Sequence, residues 1–310
     1  MERAKALDEE EAFPSGADDE TKEFVRYWFD NTNRVQLTAL SNTISRLHDP
    51  ALRNLMWCAM SRLIITKQSG VSLAMDISHS RPHKTYETAP INVFDHFARA
   101  VRKVIKASPF TGETEQGPPA LVKNADARCL PIEDNSVDLV ITSPPYLNAI
   151  DYLRGHKFSL IWMGHSIANV RELRASNVGS EVSAKALAED TATETTMEAM
   201  CELTKLSSRD AGMLRRYVRD VHALLKEIHR VLRCAGKAVV VVGNCNLHQT
   251  FVENSRGIEV IAAQVGLNLQ KLRKRPLPEN RRYLPPPGAS GSGKALRKRM
   301  REEVILTLHK

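Results

Sequence analysis

The stretch Asp138-Leu-Val-Ile-Thr-Ser-Pro-Pro-Tyr146 decides the fold of this chain. Its short apolar run is rich in β-branched residues, which indicates a buried strand. The two consecutive prolines then stop both a helix and a strand ladder, because proline has no backbone N–H to donate. Residues 143–146 are therefore predicted to form a stiff loop at the carboxyl end of the strand, where open α/β sheets bind ligands.

A Thr-Ser-Pro-Pro-Tyr loop at the end of a strand resembles motif IV of the amino-group DNA methyltransferases. These S-adenosylmethionine-dependent enzymes methylate N4 of cytosine or N6 of adenine in double-stranded DNA, on a base flipped out of the helix. The resemblance implies that the Ser143 hydroxyl and the Pro144 carbonyl accept the amino hydrogens, that Pro144 and Pro145 fix this geometry, and that Tyr146 stacks on the base. A proline-capped strand end without a catalytic role is the alternative.

The residues before this strand extend the resemblance. Asp126-Ala-Arg, a Leu-Pro pair and an Asn-Ser-Val-Asp turn are similar to the run that precedes motif IV in the same family. The resemblance implies that Asp126 accepts a hydrogen bond from the adenine amino group of S-adenosyl-L-methionine, with Ala127, Thr142 and Ser143 beside the cofactor. A lone aspartate here would otherwise be a cap or turn residue. Residues 121–126 are predicted to form a short strand.

The most informative departure from the family is a missing glycine-rich loop. The only glycines before Asp126 are Gly16, Gly70, Gly112 and Gly117, and none of them follows an apolar strand. Without the two strands that flank such a loop, the sheet would have an unpaired edge, which is costly when buried and adhesive when exposed. One hypothesis is a split methyltransferase in which a second polypeptide supplies the loop; a truncated, inactive chain is the other.

The composition is that of an ordinary globular protein, with 310 residues, 42% of them hydrophobic and 26% charged. No apolar run approaches the length of a membrane span, and the N-terminus is acidic, unlike a signal peptide. The five scattered cysteines form no Cys-x-x-Cys pair, which favours neither a disulfide framework nor a zinc site and suits a reducing cytoplasm. The polar segment 76–84 contains two histidines, but no metal site is predicted, and a phosphate or substrate contact through Arg81 or Lys84 is favoured.

The basic charge is concentrated at one end. Residues 271–310 contain twelve Lys and Arg against three Glu, a net charge of +9, while the whole chain has +8, so the rest of the chain is close to neutral. A localised basic stretch suits a polyanion such as DNA, although a solvated surface is the plainer interpretation. The predicted DNA contacts lie in this stretch and just after the Pro-Pro-Tyr loop: Asn148, Arg154, Arg281, Arg282 and Lys298.

The chain is predicted to have an α/β, Rossmann-like fold of the S-adenosylmethionine-dependent methyltransferase type, with an incomplete sheet and a helical N-terminal region. Residues 1–20 are predicted to be a disordered acidic leader, 21–107 a helical region and 108–120 a linker. Residues 121–310 would be the catalytic core, with a polar insert at 165–212. Within the core, the patterns predict a helix from Met213 ended by Gly236, and strands over 238–244, 267–275 and 303–309.

Three functions remain open from the sequence. The first is a site-specific DNA methyltransferase of a restriction-modification system. Within this family, a serine as the first residue of the loop favours N4 of cytosine as the target. The second is an RNA base methyltransferase, since related Pro-Pro-Tyr loops serve there. The third is a DNA-binding subunit that has lost catalysis.

Overall fold

The fold is taken from a computed structural model that describes residues 9–67, 70–75, 77, 82–107, 120–147, 152–179, 190–248, 250–277 and 302–310. The chain divides into two units, one formed by 1–119 with 151–173 and the other by 120–150 with 174–310. The helices are α1 Asp19–Trp28, α2 Asn31–Ser45, α3 Pro50–Ile64, α4 Val93–Ala107, α5 Tyr152–Leu160, α6 Ile167–Ser176, α7 Thr191–Met200, α8 Ser208–Val231 and α9 Asn254–Gln264. The strands are β1 Ala74–Met75, β2 His83–Lys84, β3 Val137–Thr142, β4 Leu232–Val242, β5 Cys245–Leu247, β6 Thr250–Val252, β7 Asn268–Pro276 and β8 Glu302–His309.

The first unit is helical because its sequence starts each helix clearly. Asp18, Asp30 and Asp49 stand immediately before α1, α2 and α3, and each aspartate side chain accepts a hydrogen bond from a backbone N–H of the first turn. An aspartate in this position satisfies one of the unpaired N–H groups of the helix, which contributes about 1 kcal/mol. The predicted helical N-terminal region is confirmed.

An aromatic cluster forms the core of this unit. Phe29 packs edge-on against Trp162 with ring centroids 5.4 Å apart, and Phe158 contacts Phe24 in the same way at 5.0 Å. Ser41 of α2 donates a hydrogen bond of 2.5 Å to the backbone carbonyl of Trp162. The cluster therefore joins α1 and α2 to the segment 152–163 much later in the chain.

The described part of the acidic leader differs from the disordered segment predicted for residues 1–20. Glu9–Glu11 form a 3-10 turn, and Ala12 and Phe13 are buried. The guanidinium groups of Arg26 and Arg34 lie 4.8 and 5.1 Å from the centroid of the Phe13 ring. Charge counting misses this ordering because one buried aromatic ring, with two cations over it, can hold a short polar segment in place.

A four-stranded mixed sheet is the centre of the second unit, with the strand order β3-β4-β8-β7. β3 runs parallel to β4, whereas β8 pairs antiparallel with both β4 and β7. Alternate residues of β4 and β8, including Val240 and Leu306, are fully buried in the same apolar cluster as Leu214 and Leu225 of α8. The chain is therefore α/β with a partial mixed sheet and a helical N-terminal region. The predicted strands 267–275 and 303–309 are confirmed with small changes of boundary, whereas the strand predicted over 238–244 begins earlier, at Leu232, and ends at Val242.

Helix α8 also holds the turn that leads into β3. The Glu227 carboxylate accepts a hydrogen bond of 2.6 Å from the backbone N–H of Leu130. Arg230 donates to the carbonyls of Leu130 and Ile132, at 3.0 and 2.8 Å. Hydrogen bonding to Arg230 lowers the pKa of Glu227. This carboxylate therefore stays charged and holds the backbone of the turn in place.

The strand predicted over residues 121–126 is wrong. Leu121 and Val122 have no strand partner within the described residues and are 81% and 91% exposed, and only a single bridge joins Asp126 to Cys129. A strand forms when a neighbouring strand pairs with its backbone, so apolar residues alone do not make one. The described sheet therefore ends at β3, whose Leu139 and Ile141 are 51% and 72% exposed.

The end of α8 also differs from the prediction. The helix stops at Val231 and β4 begins at the next residue, so the predicted cap at Gly236 does not exist. The residue with left-handed backbone is Ala235, with φ 64°, while a Cβ on Gly236 would lie 2.8 Å from the carbonyl oxygen of Arg233. Glycine is needed at 236 for close approach rather than for its φ angle.

The polar insert predicted at 165–212 is partly core. Met197 and Met200 of α7 are buried in the apolar cluster of the second unit. A Cβ on Gly257 of α9 would lie 2.6 Å from the sulfur of Met200, so the two helices pack closely at this point. The sequence did not predict this packing, because α7 otherwise consists mainly of Thr, Glu and Ala and has no long apolar stretch. Among the described helices, none is long and apolar enough to span a bilayer.

Candidate functional site

The Ser-Pro-Pro-Tyr loop leaves the sheet at the carboxyl end of β3. Thr142 is paired with Val240 of β4, which fixes the position where the loop begins. Pro144 and Leu147 are buried, whereas Ser143 and Pro145 are exposed. The buried residues anchor the loop to the core and leave the Ser143 hydroxyl accessible.

A chain of hydrogen bonds surrounds Ser143. Its hydroxyl donates to the backbone carbonyl of Val241 at 3.1 Å and lies 3.3 Å from the hydroxyl of Tyr146. Tyr146 in turn donates to the Glu303 carboxylate at 3.1 Å. Glu303 lies on β8 and accepts hydrogen bonds from the guanidinium of Arg275 on β7. The loop is thus connected to the far side of the sheet.

A buried tyrosine belongs to the apolar cluster that also contains Leu147 at the end of the loop. Tyr217 of α8 is fully buried, and a Cβ on Gly179 would lie 3.5 Å from its ring and 3.6 Å from the Cβ of Pro145. The backbone N–H of Gly179 donates to Asp220 at 2.8 Å, which holds this segment against the loop. Burial raises the pKa of Tyr217, whose hydroxyl has no hydrogen-bond partner among the described residues, so this side chain stays neutral.

Asp126, the residue predicted to bind the cofactor, already forms hydrogen bonds with a neighbouring arginine. Both of its carboxylate oxygens accept hydrogen bonds from the Arg128 side chain, and this contact lowers the pKa of Asp126. Arg128 also donates to Asp220 and to the carbonyl of Ser176, each at 2.7 Å. Ala127 is half-buried against the core of the second unit. Asp126 is therefore part of an ion-pair network on the same unit as the Ser143 loop.

The predicted DNA contacts are only partly described. Arg154 lies on α5 in the first unit and is half-buried, while Asn148, Arg281, Arg282 and Lys298 lie outside the described residues, as does Arg81. In the basic C-terminal stretch, the Lys and Arg side chains of β7 are exposed. Lys274 pairs with Glu302 at 3.2 Å, and Arg275 pairs with Glu303, so part of the positive charge is neutralised across the sheet.

No group of three or more His, Cys, Asp or Glu side chains that could hold a metal ion occurs in the part of the chain that the structure describes. Lys84, a predicted phosphate contact, lies instead over the ring of Tyr27, with its Nζ 4.8 Å from the centroid. Cys245 is half-buried, and burial raises the pKa of its thiol to about 12. These groups are therefore not assigned to the candidate site.

Sequence reasoning missed the residues that support the loop. Glu303 is 157 positions from Tyr146, and no local pattern marks it or Arg275 as anything but strand residues. Arg128 lies two residues after Asp126 in the sequence. Its other acceptors, Asp220 and the carbonyl of Ser176, are distant in the chain, so the sequence alone did not indicate these hydrogen bonds. A signal existed only for Gly179, because an isolated glycine after a helix often takes a left-handed conformation, here with φ 72°.

No family model matches this sequence. The type II methyltransferase M.BsoBI of Geobacillus stearothermophilus is 41% identical to it over 66 residues. These residues are 21% of this chain and 13% of M.BsoBI, so the match spans far less than two thirds of that relative. The sequence resemblance to methyltransferases is confirmed for a segment of the chain.

Two solved structures align more extensively but loosely. TTHA0409 of Thermus thermophilus, provisionally assigned as a DNA modification methylase and solved with S-adenosyl-L-methionine, aligns over 60% of this chain and 51% of its own, with 16% identity and a TM-score of 0.30. A SAM-dependent methyltransferase of Methanosarcina mazei aligns over 70% of this chain and 79% of its own, with 10% identity and a TM-score of 0.32. Such TM-scores carry no argument about function.

Proposed function

We propose that this chain is the base-handling part of an S-adenosyl-L-methionine-dependent methyltransferase that acts on the exocyclic amino group of a flipped base in double-stranded DNA, N4 of cytosine or N6 of adenine. The observation that carries the proposal is the exposed Ser143 hydroxyl in a proline-stiffened loop at the carboxyl end of the parallel strand β3. The 66-residue similarity to M.BsoBI, a type II methyltransferase, supports methyl transfer.

The residues of the loop suit an amino group as nucleophile. The nitrogen lone pair of such a group is delocalised into the base, and it becomes available when acceptors hold both amino hydrogens and draw the nitrogen towards a tetrahedral geometry. Ser143 Oγ and the Pro144 carbonyl are the proposed acceptors, held in place before the reaction by the two prolines. The ring of Tyr146 is the proposed stacking surface.

The cofactor would supply the methyl group, but the described residues form only a fragment of a site for it. Asp126 is the predicted acceptor for its adenine, and this carboxylate is already engaged by Arg128. The sequence contains no glycine-rich turn after an apolar strand before that position. The described residues therefore do not fit the whole cofactor.

We further propose that a second polypeptide carries the glycine-rich loop and pairs with β3. The exposed side chains of Leu139 and Ile141 on this outermost strand of the described sheet support the idea, since a flat apolar edge favours pairing with another strand.

Two measurements test these proposals. Isothermal titration of S-adenosyl-L-methionine into the chain alone is expected to show no binding, and clear binding would overturn the split arrangement. Methyl transfer from radiolabelled cofactor to duplex DNA is expected once a chain bearing the loop is added, and is expected to disappear in Ser143→Ala.

The choice of substrate decides between the remaining functions. Faster transfer to single-stranded RNA than to duplex DNA would replace the DNA proposal with RNA methylation. Duplex binding that survives Ser143→Ala and Tyr146→Ala, without transfer in any mixture, would identify a non-catalytic DNA-binding subunit instead. Localisation in the cytoplasm remains a prediction from the sequence.

A further inference from the structure

Helices α8 and α9 cover one face of the four-stranded sheet of the second unit. Successive residues of a strand point to opposite faces, so Ala238, Val240 and Val242 of β4 share one face. These three are fully buried in the apolar cluster that α8 and α9 complete. Val239 and Val241 point to the other face and are only half-buried. The two faces of the sheet are therefore not equally covered.

The strand register places further apolar side chains on the second face. Val239 pairs with Ile141 of β3 and with Thr307 of β8. Val241 pairs with Ile305 of β8. Paired residues of neighbouring strands point to the same face of a sheet. The open face is thus formed by five apolar side chains that belong to neither apolar cluster of the described residues: Leu139, Ile141, Val239, Val241 and Ile305.

Unpaired cations border this apolar patch. Lys271 and Arg273 of β7 pair with Thr307 and Ile305, so their side chains lie on the open face. Lys237 is two residues before Val239 on β4 and has the same orientation. All three cations are exposed, and none of them forms an ion pair within the described ranges. The open face therefore has an apolar part and a cationic border.

A strand that pairs with the edge of β3 would leave the open face uncovered. Strand pairing satisfies the backbone groups of the edge, whereas the exposed side chains of Leu139 and Ile141 point out of the plane of the sheet. Sheets that contain parallel strands are normally buried under helices on both faces. An exposed apolar patch with a polar border marks an interaction site. A further element is therefore needed on this face.

The charge of the open face decides which element fits. Unpaired cations beside an apolar patch suit a helix that is apolar on one side and carries carboxylates along the edge of that side. A second copy of this chain does not offer free carboxylates on its own open face. Glu303, the acidic residue of β8 that points to this face, is already bound by Arg275.

We propose that the open face is the docking surface for an amphipathic helix, acidic along one edge, of the second polypeptide that carries the glycine-rich loop. This inference rests on the split arrangement given under the proposed function. Glu303 lies two residues before Ile305 on β8 and accepts a hydrogen bond from Tyr146. The open face therefore extends to the side chains that contact the Ser-Pro-Pro-Tyr loop.

Two threonine substitutions on β4 test whether the face is uncovered. Threonine is nearly isosteric with valine and suits a strand, but its hydroxyl is costly where water cannot reach it. Val240→Thr, on the covered face, is expected to lower the melting temperature by about 3–10 °C, and Val239→Thr by less than about 2 °C. Equal losses would show that the native chain already covers this face and would overturn the proposal.

Two synthetic helical peptides of roughly five turns test the occupant. Both carry the same leucine side, and its edges are lined by glutamates in one peptide and by lysines in the other. Fluorescence anisotropy is expected to show that the chain binds the glutamate peptide at least about tenfold more tightly. Equal binding of the two peptides, or no binding of the glutamate peptide, would overturn the proposal.

Charge reversal on β7 locates the contact. Lys271→Glu combined with Arg273→Glu is expected to weaken binding of the glutamate peptide by about tenfold or more. The matched control, Lys103→Glu combined with Arg102→Glu, reverses an exposed lysine and an exposed arginine of α4 and is expected to leave the affinity within about twofold. An affinity that ignores the reversal on β7 would overturn the proposal.

Two other occupants have distinct outcomes, each of which would overturn the proposal. Self-association of the native chain in sedimentation velocity that Val239→Lys abolishes would assign the face to a second copy. If the β7 reversal weakens binding of duplex DNA but not of the glutamate peptide, the cations belong to a DNA-binding surface instead.

These tests are independent of methyl transfer. Transfer by a mixture with a chain that bears the loop, without binding of the glutamate peptide, would overturn the docking surface and leave the proposed function standing. Binding of the glutamate peptide that depends on Lys271 and Arg273, without transfer in any mixture, would contradict the proposed function and support an acidic helix on the open face.

Discussion

The guanidinium of Arg128 holds both carboxylate oxygens of Asp126, with Nε 3.0 Å from Oδ1 and Nη2 2.7 Å from Oδ2. The same guanidinium reaches Asp220 of α8 and the carbonyl of Ser176 at the end of α6. Arg128 is therefore a junction that fixes the turn after residue 125 to α8 and to the backbone at Ser176. A ligand at Asp126 has to share the carboxylate with this arginine.

Replacing Arg128 by alanine should destabilise the second unit. The change removes hydrogen bonds to two carboxylates and a carbonyl and leaves Asp126 and Asp220 without this cation, so we expect a loss of about 1–3 kcal/mol in the free energy of unfolding. Urea unfolding followed by circular dichroism measures it. The control Arg256→Ala removes an exposed pair with Glu259 within α9 and should have a much smaller effect. Equal losses in the two variants would contradict the junction.

The ion pair of Asp126 also predicts a pH dependence. Its folded-state pKa lies below the ordinary value of 3.8. A lowered pKa stabilises the fold above the unfolded value, and this stabilisation is lost as the pH falls through the folded value. The difference in melting temperature between the native protein and Asp126→Asn should therefore be greatest near neutral pH and shrink below about pH 4. Scanning calorimetry from pH 7 to pH 3 measures it, and a constant difference would contradict the pairing.

The irregular start of β4, where its register against β3 shifts, offers a stabilising substitution. Ala235 has φ 64°, a conformation that costs an L-residue about 1–2 kcal/mol, whereas glycine adopts it freely at some cost in unfolded-state entropy. We expect Ala235→Gly to raise the free energy of unfolding by roughly 0.5–1 kcal/mol. The neighbouring control Gly236→Ala should lower it, because the added Cβ would meet the Arg233 carbonyl at 2.8 Å. Urea unfolding of both variants checks the signs, which must be opposite.

The outermost described strand should tolerate changes that the core does not. Ile141 is 72% exposed, so Ile141→Ser should change the stability of the chain alone by no more than about 0.5 kcal/mol. Leu306 of β8 is fully buried, and Leu306→Ala should cost about 2–5 kcal/mol. If a second polypeptide pairs with β3, Ile141→Ser should weaken that association in analytical ultracentrifugation. Unchanged association would argue against this edge as the docking surface.

Alkylation should divide the five cysteines into two groups. Cys58, Cys129 and Cys234 are exposed, whereas Cys201 and Cys245 are half-buried and burial raises the pKa of each. The thiolate is the reactive form, so iodoacetamide at pH 8 should modify the first three much faster. Mass spectrometry of peptides after timed quenching measures the rates. Fast modification of Cys245 would contradict its burial.

Much of the local secondary structure could be predicted from the sequence. The apolar face of α8 and the alternation of β8 act over a few residues, and each produced the predicted element, as did the helical spacing of the N-terminal region. The loop after β3 was also predictable, because two prolines exclude continued regular structure in any context. The strand expected over 121–126 failed for the complementary reason, since its formation depends on a neighbour that local sequence does not reveal.

What the sequence determined by itself was the strand, the stiff loop and the residue types at its head, all of which follow from backbone sterics and side-chain chemistry within a few positions. The tertiary structure decided the partners: Glu303 against Tyr146 across 157 residues, and Arg128 between Asp126 and Asp220. Such pairs depend on the register of β7 and β8 and on the packing of α8, which bring distant residues within about 3 Å of each other. Hydrogen bonding falls off beyond that distance, so the hydrogen-bond partners of the Ser143 loop are a property of the fold.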